Sequence, residues 1–233
     1  MLSLTTIVLA TNNAHKVAEI RAILGEQFRF RTLADFPNAP KTVEDAPTFA
    51  GNATKKAVEL ANFLSTRVHE NATYILADDS GLEADALNGA PGVHSARFAA
   101  LDRGEQGNSS DADNRAKLLR LLKDIPAEKR TARFRCVLAL TPLGEVEKRG
   151  ASPVCFADEF EMQTELFEGT CGGRIEFSEK GQGGFGYDSL FTPNGYSQTF
   201  GELAEDVKNR LSHRAKALEK LQIRLREGLL RSG

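Results

Sequence analysis

The opening of the chain constrains its fold more than any other stretch. Residues Thr5 to Ala10 read TTIVLA, a β-branched run without polar–apolar alternation, which is typical of a strand buried on both faces. The polar loop TNNAHK follows it. In HKVAEIRAIL, Val17, Ile20, Ile23 and Leu24 then recur at helical spacing. Strand, loop and helix in this order predict an α/β fold, with the loop at the carboxyl end of the strand.

Later segments predict a mixed sheet flanked by helices. A second helix is expected over residues 48–64, whose apolar stripe comprises Phe49, Ala53, Ala57, Leu60 and Leu64. The strand TYILA is expected to end at Asp78 and Asp79, and a third helix to cover residues 111–125 with Asp111 as its cap. The runs ARFRCVLALT (132–141) and SPVCFADEFEMQTEL (152–166) predict two strands of an antiparallel hairpin.

Composition excludes several classes of protein. The 233 residues show no linker-like segment, so residues 1–233 are expected to form one domain. Thirty basic residues against 32 acidic ones give a formal net charge of -2, which argues against an extended nucleic-acid partner. The amino-terminal apolar run is too short for a membrane span and lacks a basic leader region. Three well-separated cysteines indicate reduced thiols, and we expect a cytoplasmic protein.

Acidic residues in two segments are candidates for metal chemistry. Asp78 and Asp79 follow an apolar strand, and Glu44 precedes the second helix. Mg²⁺ prefers carboxylate oxygens together with phosphate and water. Adjacent strand residues point to opposite faces, so one aspartate could bind metal while the other orients water. A solvated turn is the alternative, and on the dipeptide alone it is the better interpretation.

The segment EKGQGGFGYDSLF is a candidate ligand loop. Four glycines between Gly181 and Gly186 let the backbone approach a ligand closely, although the spacing matches neither a P-loop nor a Rossmann motif. A ring such as Phe185 can stack on a nucleotide base, at about 1–3 kcal/mol. A flexible turn between two strands is the alternative.

Two basic segments could hold an anion. Lys16 opens the first helix directly after a polar loop, an arrangement that suits phosphate. In DVKNRLSHRAKAL, Lys208 and Arg214 would lie about 120° apart on one continuous helix and could not converge. A break capped by Ser212 would bring them together. From the residues alone, a continuous helix with solvated charges is favoured.

Taken in order, these motifs resemble one family. VLATNNAHKVAEI, TFAGNATKKA, ADDSGLEADALNGAPGVHSARF, GGFGYDSLF and LSHRAKAL are similar to segments of the inosine triphosphate pyrophosphatases, also called dITP/XTP or non-canonical purine NTP pyrophosphatases. The resemblance spans residues 7–218. It implies an Mg²⁺-dependent hydrolase that converts ITP, dITP or XTP to the monophosphate and pyrophosphate. It further implies a homodimer of two-lobed subunits, each with an elongated mixed central sheet and an active-site cleft between its lobes.

The resemblance also implies roles for individual residues. Asp79 matches the general base and metal ligand, with Glu44 and Asp78 as further metal candidates. The substrate contacts that it implies are Thr11, Asn12, Asn13, Ala14, His15 and Lys16 in the phosphate loop, Asn52 and Lys56 facing the triphosphate, Ser80, and Phe185, Gly186, Tyr187, Asp188, Lys208, His213 and Arg214 around the purine.

Three positions depart from the family pattern. Asn12 replaces a glycine, and a positive φ angle at Asn12 would carry some cost. Ala46 replaces a frequent glycine and weakens the metal assignment of Glu44, and Ser189 replaces a proline. Three other functions stay open: a Maf-like pyrophosphatase, a phosphatase that releases orthophosphate, and a nucleotide sensor without turnover.

Overall fold

The strands and helices follow from a computed structural model that describes residues 5–68, 72–105, 107–143, 161 and 163–231. The strands in these ranges are β1 (Thr6–Leu9), β2 (Arg29–Thr32), β3 (Thr73–Ala84), β4 (Thr131–Leu143), β5 (Glu165–Ile175) and β6 (Phe191–Pro193). The α-helices are α1 (Ala14–Leu24), α2 (Phe49–Leu64), α3 (Ala100–Arg103), α4 (Asp111–Leu121), α5 (Glu205–Leu211) and α6 (His213–Arg231). Short 3₁₀ helices cover Leu33–Asp35, Asp85–Leu87, Gly92–Arg97, Ala127–Lys129 and Asp188–Leu190.

The described strands form one mixed sheet in the order β2-β1-β3-β4-β5-β6. β1 pairs in parallel with both β2 and β3, so that Leu9 lies opposite Thr32 on one side and Leu76 on the other. β5 and β6 are antiparallel, with Gly173 opposite Pro193. The predicted α/β fold with a mixed sheet and flanking helices is therefore confirmed.

Capping side chains fix where the first two long helices begin. The Asn13 side chain accepts hydrogen bonds from the amides of His15 and Lys16, which starts α1 directly after β1 and its loop. Thr48 caps α2 by accepting from the Gly51 amide at 3.0 Å. The predicted apolar stripe of α2 is buried from Phe49 to Leu64.

Two predicted boundaries are wrong. β3 does not end at the two aspartates but continues to Ala84, so Asp78 and Asp79 lie inside the strand. Side chains elsewhere in the chain compensate their charges, as described below, and a local pattern cannot reveal such partners. α4 is capped not by Asp111 but by Ser110, whose hydroxyl accepts from the Asp113 amide at 3.1 Å.

Other predicted boundaries have mixed outcomes. Ser212 is extended, with φ -66° and ψ 161°, and its hydroxyl accepts from the Ala215 amide at 3.1 Å, so it separates α5 from α6. The capped break is confirmed, and the continuous helix is wrong. The strand predicted over 152–166 falls mostly outside the described residues. β2 and most of β5 were not predicted.

The chain divides into two compact units. The first unit comprises the described residues of 1–79 and 137–167, and its buried residues include Ile7, Leu9, Leu60 and Ile75. The second comprises the described residues of 80–136 and 168–233. Its core is one apolar cluster that includes Leu82, Phe98, Leu118, Phe134, Leu190, Phe191 and Phe200. None of the helices in the described ranges is long and apolar enough to cross a membrane.

Candidate active site

β3 places two buried carboxylates in the first unit, each with its own cation. Asp78 and Asp79 are only 2% and 5% exposed. The Lys16 ammonium donates to Asp78 Oδ1 at 2.5 Å, whereas the Lys56 ammonium donates to Asp79 Oδ1 at 3.0 Å. The two neighbouring carboxylates therefore have separate lysine partners, as expected for adjacent strand positions.

Lys56 contacts several members of a group that we call the carboxylate cluster. The cluster is formed by Lys16, Glu44, Asn52, Lys56, Asp78 and Asp79. Besides Asp79, the Lys56 ammonium contacts Glu44 Oε2 at 3.3 Å and the backbone oxygen of Asp78 at 2.8 Å. α2 carries both Lys56 and Asn52 on the turn that faces β3. The cluster thus joins residues from the first turn of α1, the segment before α2, α2 itself and β3.

Asn52 ties Asp79 to the segment that contains Glu44. Its amide group donates to Asp79 Oδ2 at 3.2 Å, and its carbonyl oxygen accepts from the Ala46 amide at 3.0 Å. Asn52 is fully buried. Because both ends of its side chain are engaged, Asn52 holds the backbone next to Glu44 in a fixed position relative to Asp79.

Two of the three carboxylates of this cluster, Asp79 and Glu44, have pKa values shifted in opposite directions. Burial raises the pKa of Asp79, and repulsion from Glu44 adds to the rise, despite the opposing attraction of Lys56 and Lys16. Burial would also raise the pKa of Glu44, but its attraction to Lys56 prevails and lowers that pKa. The surroundings therefore favour the protonated form of Asp79 and the ionised form of Glu44, each relative to its ordinary pKa, and a raised pKa suits a group that accepts a proton.

The donor set of the carboxylate cluster fits a hard cation such as Mg²⁺. Glu44 and Asp79 both contact the Lys56 ammonium, and both present carboxylate oxygens, the ligands that Mg²⁺ prefers. Among the described residues no group of three or more His, Cys, Asp or Glu side chains is gathered for a metal. A site with one or two carboxylates still suits Mg²⁺, which commonly completes its shell with substrate phosphates and water.

The predicted phosphate loop is more internally bonded than the sequence suggested. Thr11 Oγ1 accepts a hydrogen bond from the Asn13 backbone amide at 3.2 Å. The Asn13 side-chain oxygen in turn accepts from the backbone amides of His15 and Lys16, so these amides are already hydrogen-bonded within the chain. Of the non-glycine residues described, only Ala72 and Asn88 have a positive φ, so the strain considered for Asn12 is absent. Asn12, Ala14 and His15 are exposed, and the Lys16 ammonium is directed to Asp78.

The glycine-rich segment of the second unit surrounds a buried ion pair. The Lys208 ammonium donates to Asp188 Oδ2 at 2.7 Å, and the Phe185 amide donates to the same oxygen at 2.8 Å. A Cβ atom added at Gly184, where φ is +74°, would collide with the Asp188 carboxylate. The glycine at this position is thus required by the close approach of Asp188.

Phe185 lies beside two cations. The Lys208 ammonium is 4.9 Å from the centre of the Phe185 ring, and the Arg214 guanidinium carbon is 5.8 Å from it. Arg214 also donates to Ser80 Oγ at 3.0 Å, although it is 1% exposed. The break at Ser212 therefore brings Lys208 and Arg214 to one ring, as the predicted capped break requires.

Two residues of the predicted purine pocket have packing roles. The Tyr187 ring belongs to the apolar core of the second unit, and its hydroxyl donates to the Ser95 backbone oxygen at 2.9 Å. Burial strongly raises the pKa of Tyr187, so its phenol stays protonated. The His213 ring stacks on Phe134 with centroids 4.8 Å apart and planes inclined by 12°.

Residues that the sequence did not suggest also contact the glycine-rich segment. The Gly186 amide donates to Asp111 Oδ2 at 2.7 Å, and Arg115 donates to the Gly186 backbone oxygen at 2.9 Å. Both residues come from α4, more than 70 positions earlier in the chain. No local sequence signal could have indicated these contacts.

The fold and these two residue groups define an α/β protein with a buried carboxylate–lysine cluster and a separate group of cations around an aromatic ring. The chain belongs to the Ham1 family, whose family model matches residues 7–223. It is 45% identical over 216 residues to a dITP/XTP pyrophosphatase of Desulforamulus reducens, a match that covers 92% of each chain. A dITP/XTP pyrophosphatase of Geobacillus kaustophilus is 44% identical, with 92% of this chain and 91% of the relative covered.

Solved structures give the same assignment. The HAM1 protein of Coxiella burnetii is 34% identical and superposes with a TM-score of 0.73, covering 96% of this chain and 99% of that one. The Ham1 protein of Staphylococcus aureus is 31% identical with a TM-score of 0.74, covering 96% of this chain and 100% of that one. The resemblance inferred from the motifs is therefore confirmed at the level of the family.

Proposed function

We propose that this chain hydrolyses non-canonical purine nucleoside triphosphates, namely ITP, dITP and XTP, to the monophosphate and pyrophosphate. The relatives named dITP/XTP pyrophosphatase match nearly its whole length. The observation that carries the proposal is the carboxylate cluster, in which the buried carboxylate of Asp79, whose pKa is raised by burial, lies beside two lysines. Hydrolysis of an acid anhydride needs such a combination of a proton acceptor and cations.

In the proposed reaction, water attacks the α-phosphorus and pyrophosphate leaves. Asp79 accepts the proton of the attacking water at a carboxylate oxygen, and Asn52 keeps that carboxylate oriented. Lys56 and Lys16 would stabilise the negative charge of the phosphate chain, and residues Thr11 to Lys16, which end in the first turn of α1, would lie beside it. Mg²⁺ held by Glu44 and Asp79, with Asp78 nearby, would neutralise phosphate charge and lower the pKa of a bound water.

The second residue group is proposed to recognise the purine. The Phe185 ring would stack on the base, and Arg214 would donate to the 6-keto oxygen of hypoxanthine or xanthine. Adenine carries an amino donor at that position, so a donor-to-donor contact would leave a buried hydrogen bond unmade, at about 1–3 kcal/mol. One such contact gives roughly 5- to 150-fold discrimination against ATP. Lys208, Asp188 and Ser80 would hold Phe185 and Arg214 in place.

Product analysis tests this proposal. The protein is incubated with dITP and Mg²⁺, and the phosphorus products are identified by ³¹P NMR. Equimolar dIMP and pyrophosphate support it, whereas orthophosphate as the first product indicates a phosphatase and contradicts it. Binding of dITP without any product contradicts it as well and indicates a sensor. EDTA should abolish the activity and excess Mg²⁺ should restore it; full activity in EDTA would exclude the metal role.

Assembly and location are proposed on the family resemblance. We expect a homodimer in the cytoplasm, acting on free nucleotides and not on nucleic acid. Light scattering coupled to size-exclusion chromatography should give about twice the 25.4 kDa mass of one chain. A mass of 25.4 kDa would contradict the dimer.

A further inference from the structure

Two side chains of α4 form hydrogen bonds to the backbone of the glycine-rich segment at Gly186, the residue next to Phe185. Asp111 Oδ2 accepts from the Gly186 amide at 2.7 Å, and Arg115 donates to the Gly186 backbone oxygen at 2.9 Å. Asp111 and Arg115 are four positions apart and therefore share one face of α4. The two side chains consequently engage the peptide groups on both sides of the Gly186 Cα atom.

Arg115 extends this contact to the two ends of the segment. Its Nε atom lies 2.8 Å from Glu179 Oε2, and the same carboxylate oxygen accepts from Ser189 Oγ at 3.2 Å. The Arg115 side chain is 19% exposed and that of Glu179 is 44% exposed, so water reaches this ion pair from the Glu179 side. The segment from Glu179 to Ser189 is thus connected to α4 in its middle and, through Glu179, near both of its ends.

The segment needs contacts from elsewhere in the chain because its glycines allow many backbone conformations. Gly181, Gly184 and Gly186 all have φ angles between +62° and +78°, in the left-handed region that glycine populates readily. A chain with this many glycines loses much conformational entropy when it is fixed in one conformation. Hydrogen bonds to two charged side chains of a helix provide a rigid external anchor at Gly186.

We infer that Asp111 and Arg115 are positioning residues. Through their hydrogen bonds to the Gly186 backbone, they orient the neighbouring Phe185 ring for the purine. Neither residue belongs to the carboxylate cluster, so they influence binding of the base and leave the hydrolytic step intact. The inference rests on the proposed function for its kinetic consequences, but not for its structural ones.

Steady-state kinetics with dITP provide the first test. Asp111→Ala and Arg115→Ala should each raise KM about tenfold or more, the effect of losing a hydrogen bond to a charged group, with kcat within about twofold of wild type. Asp111→Asn keeps an acceptor for the Gly186 amide and should restore KM to within about threefold. Arg120→Ala is the matched control on the same helix, because Arg120 is 65% exposed and contacts Asp102 instead.

A fluorescence measurement tests the same inference without catalysis. The chain has no tryptophan, so Phe185→Trp introduces a single reporter at the ring in question. In that background Asp111→Ala and Arg115→Ala should each increase acrylamide quenching of the introduced tryptophan about twofold or more, and Arg120→Ala should not. Thermal melts of each variant establish that it is folded; if one of the two alanine variants does not fold, the other decides.

The results separate this inference from the proposed function. A wild-type protein that hydrolyses no nucleotide refutes the proposed function, and the quenching experiment then decides the role of α4. Wild-type KM and wild-type quenching in both alanine variants would overturn the inference. It would also be overturned by a fall in kcat at unchanged KM, or by an equal effect of Arg120→Ala.

Discussion

The buried pair of Lys208 and Asp188 should be strongly coupled, because both side chains are almost fully removed from water. They are 7% and 5% exposed, and their charged atoms are 2.7 Å apart. Lys208→Met removes the ammonium and leaves the buried Asp188 carboxylate without this ion-pair partner. Breaking a buried pair in this way costs about 3–5 kcal/mol, most of which is the penalty of the stranded charge.

A double-mutant cycle measures this coupling. Lys208→Met and Asp188→Asn should each destabilise the protein, but the double variant strands no charge and should cost at least about 2 kcal/mol less than the sum of the two. Urea unfolding followed by circular dichroism gives the four free energies of unfolding. Additivity within about 0.5 kcal/mol would refute the idea that Asp188 depends on Lys208 for its charge.

The same helix supplies the control for this cycle. Asp206 and Arg210 form a pair on α5 at 3.1 Å, but their side chains are 68% and 70% exposed. Water screens such a pair, so the cycle of Asp206→Asn and Arg210→Met should show coupling of no more than about 0.5 kcal/mol. A coupling energy as large as that of the buried pair would show that burial is not the cause.

Three further substitutions test the site. Asp79→Asn should lower kcat at least about a hundredfold with an unchanged circular dichroism spectrum, because it removes the proton acceptor; near-normal kcat would exclude Asp79 from that role. Phe185→Ala should raise KM for dITP about tenfold while the melting temperature stays nearly constant; a collapse in stability would instead make Phe185 a core residue. Gly184→Ala should lower the melting temperature more than Gly25→Ala, since both glycines have positive φ but only Gly184 faces Asp188; equal decreases would contradict the predicted collision.

Local patterns were sufficient for the elements that carry their own signals. The apolar stripe from Phe49 to Leu64 predicts α2, and the structure agrees with the sequence at this helix. Ser212 shows both the value and the limit of such signals. Its side chain can cap a helix, but the helical periodicity continues through it, so the residues alone favoured the wrong alternative.

Predictions failed where distant residues decide the outcome. Two consecutive aspartates resemble the end of a strand, yet β3 continues because Lys16 and Lys56, from separate segments, neutralise Asp78 and Asp79. β5 was missed because its sequence, ELFEGTCGGRI, contains three glycines, which weaken any strand pattern. One of them, Gly169, would collide with the backbone of α6 if it carried a Cβ atom, so its identity follows from packing that the sequence does not display.

The most direct test of the proposed chemistry is the position of solvent oxygen in the products. Hydrolysis of dITP in H₂¹⁸O, followed by mass spectrometry of both products, shows which phosphorus atom the water attacks. Attack at the α-phosphorus places one ¹⁸O atom in dIMP and none in pyrophosphate, which is the result we expect. Labelled pyrophosphate, or labelled orthophosphate as the first product, would contradict the proposal.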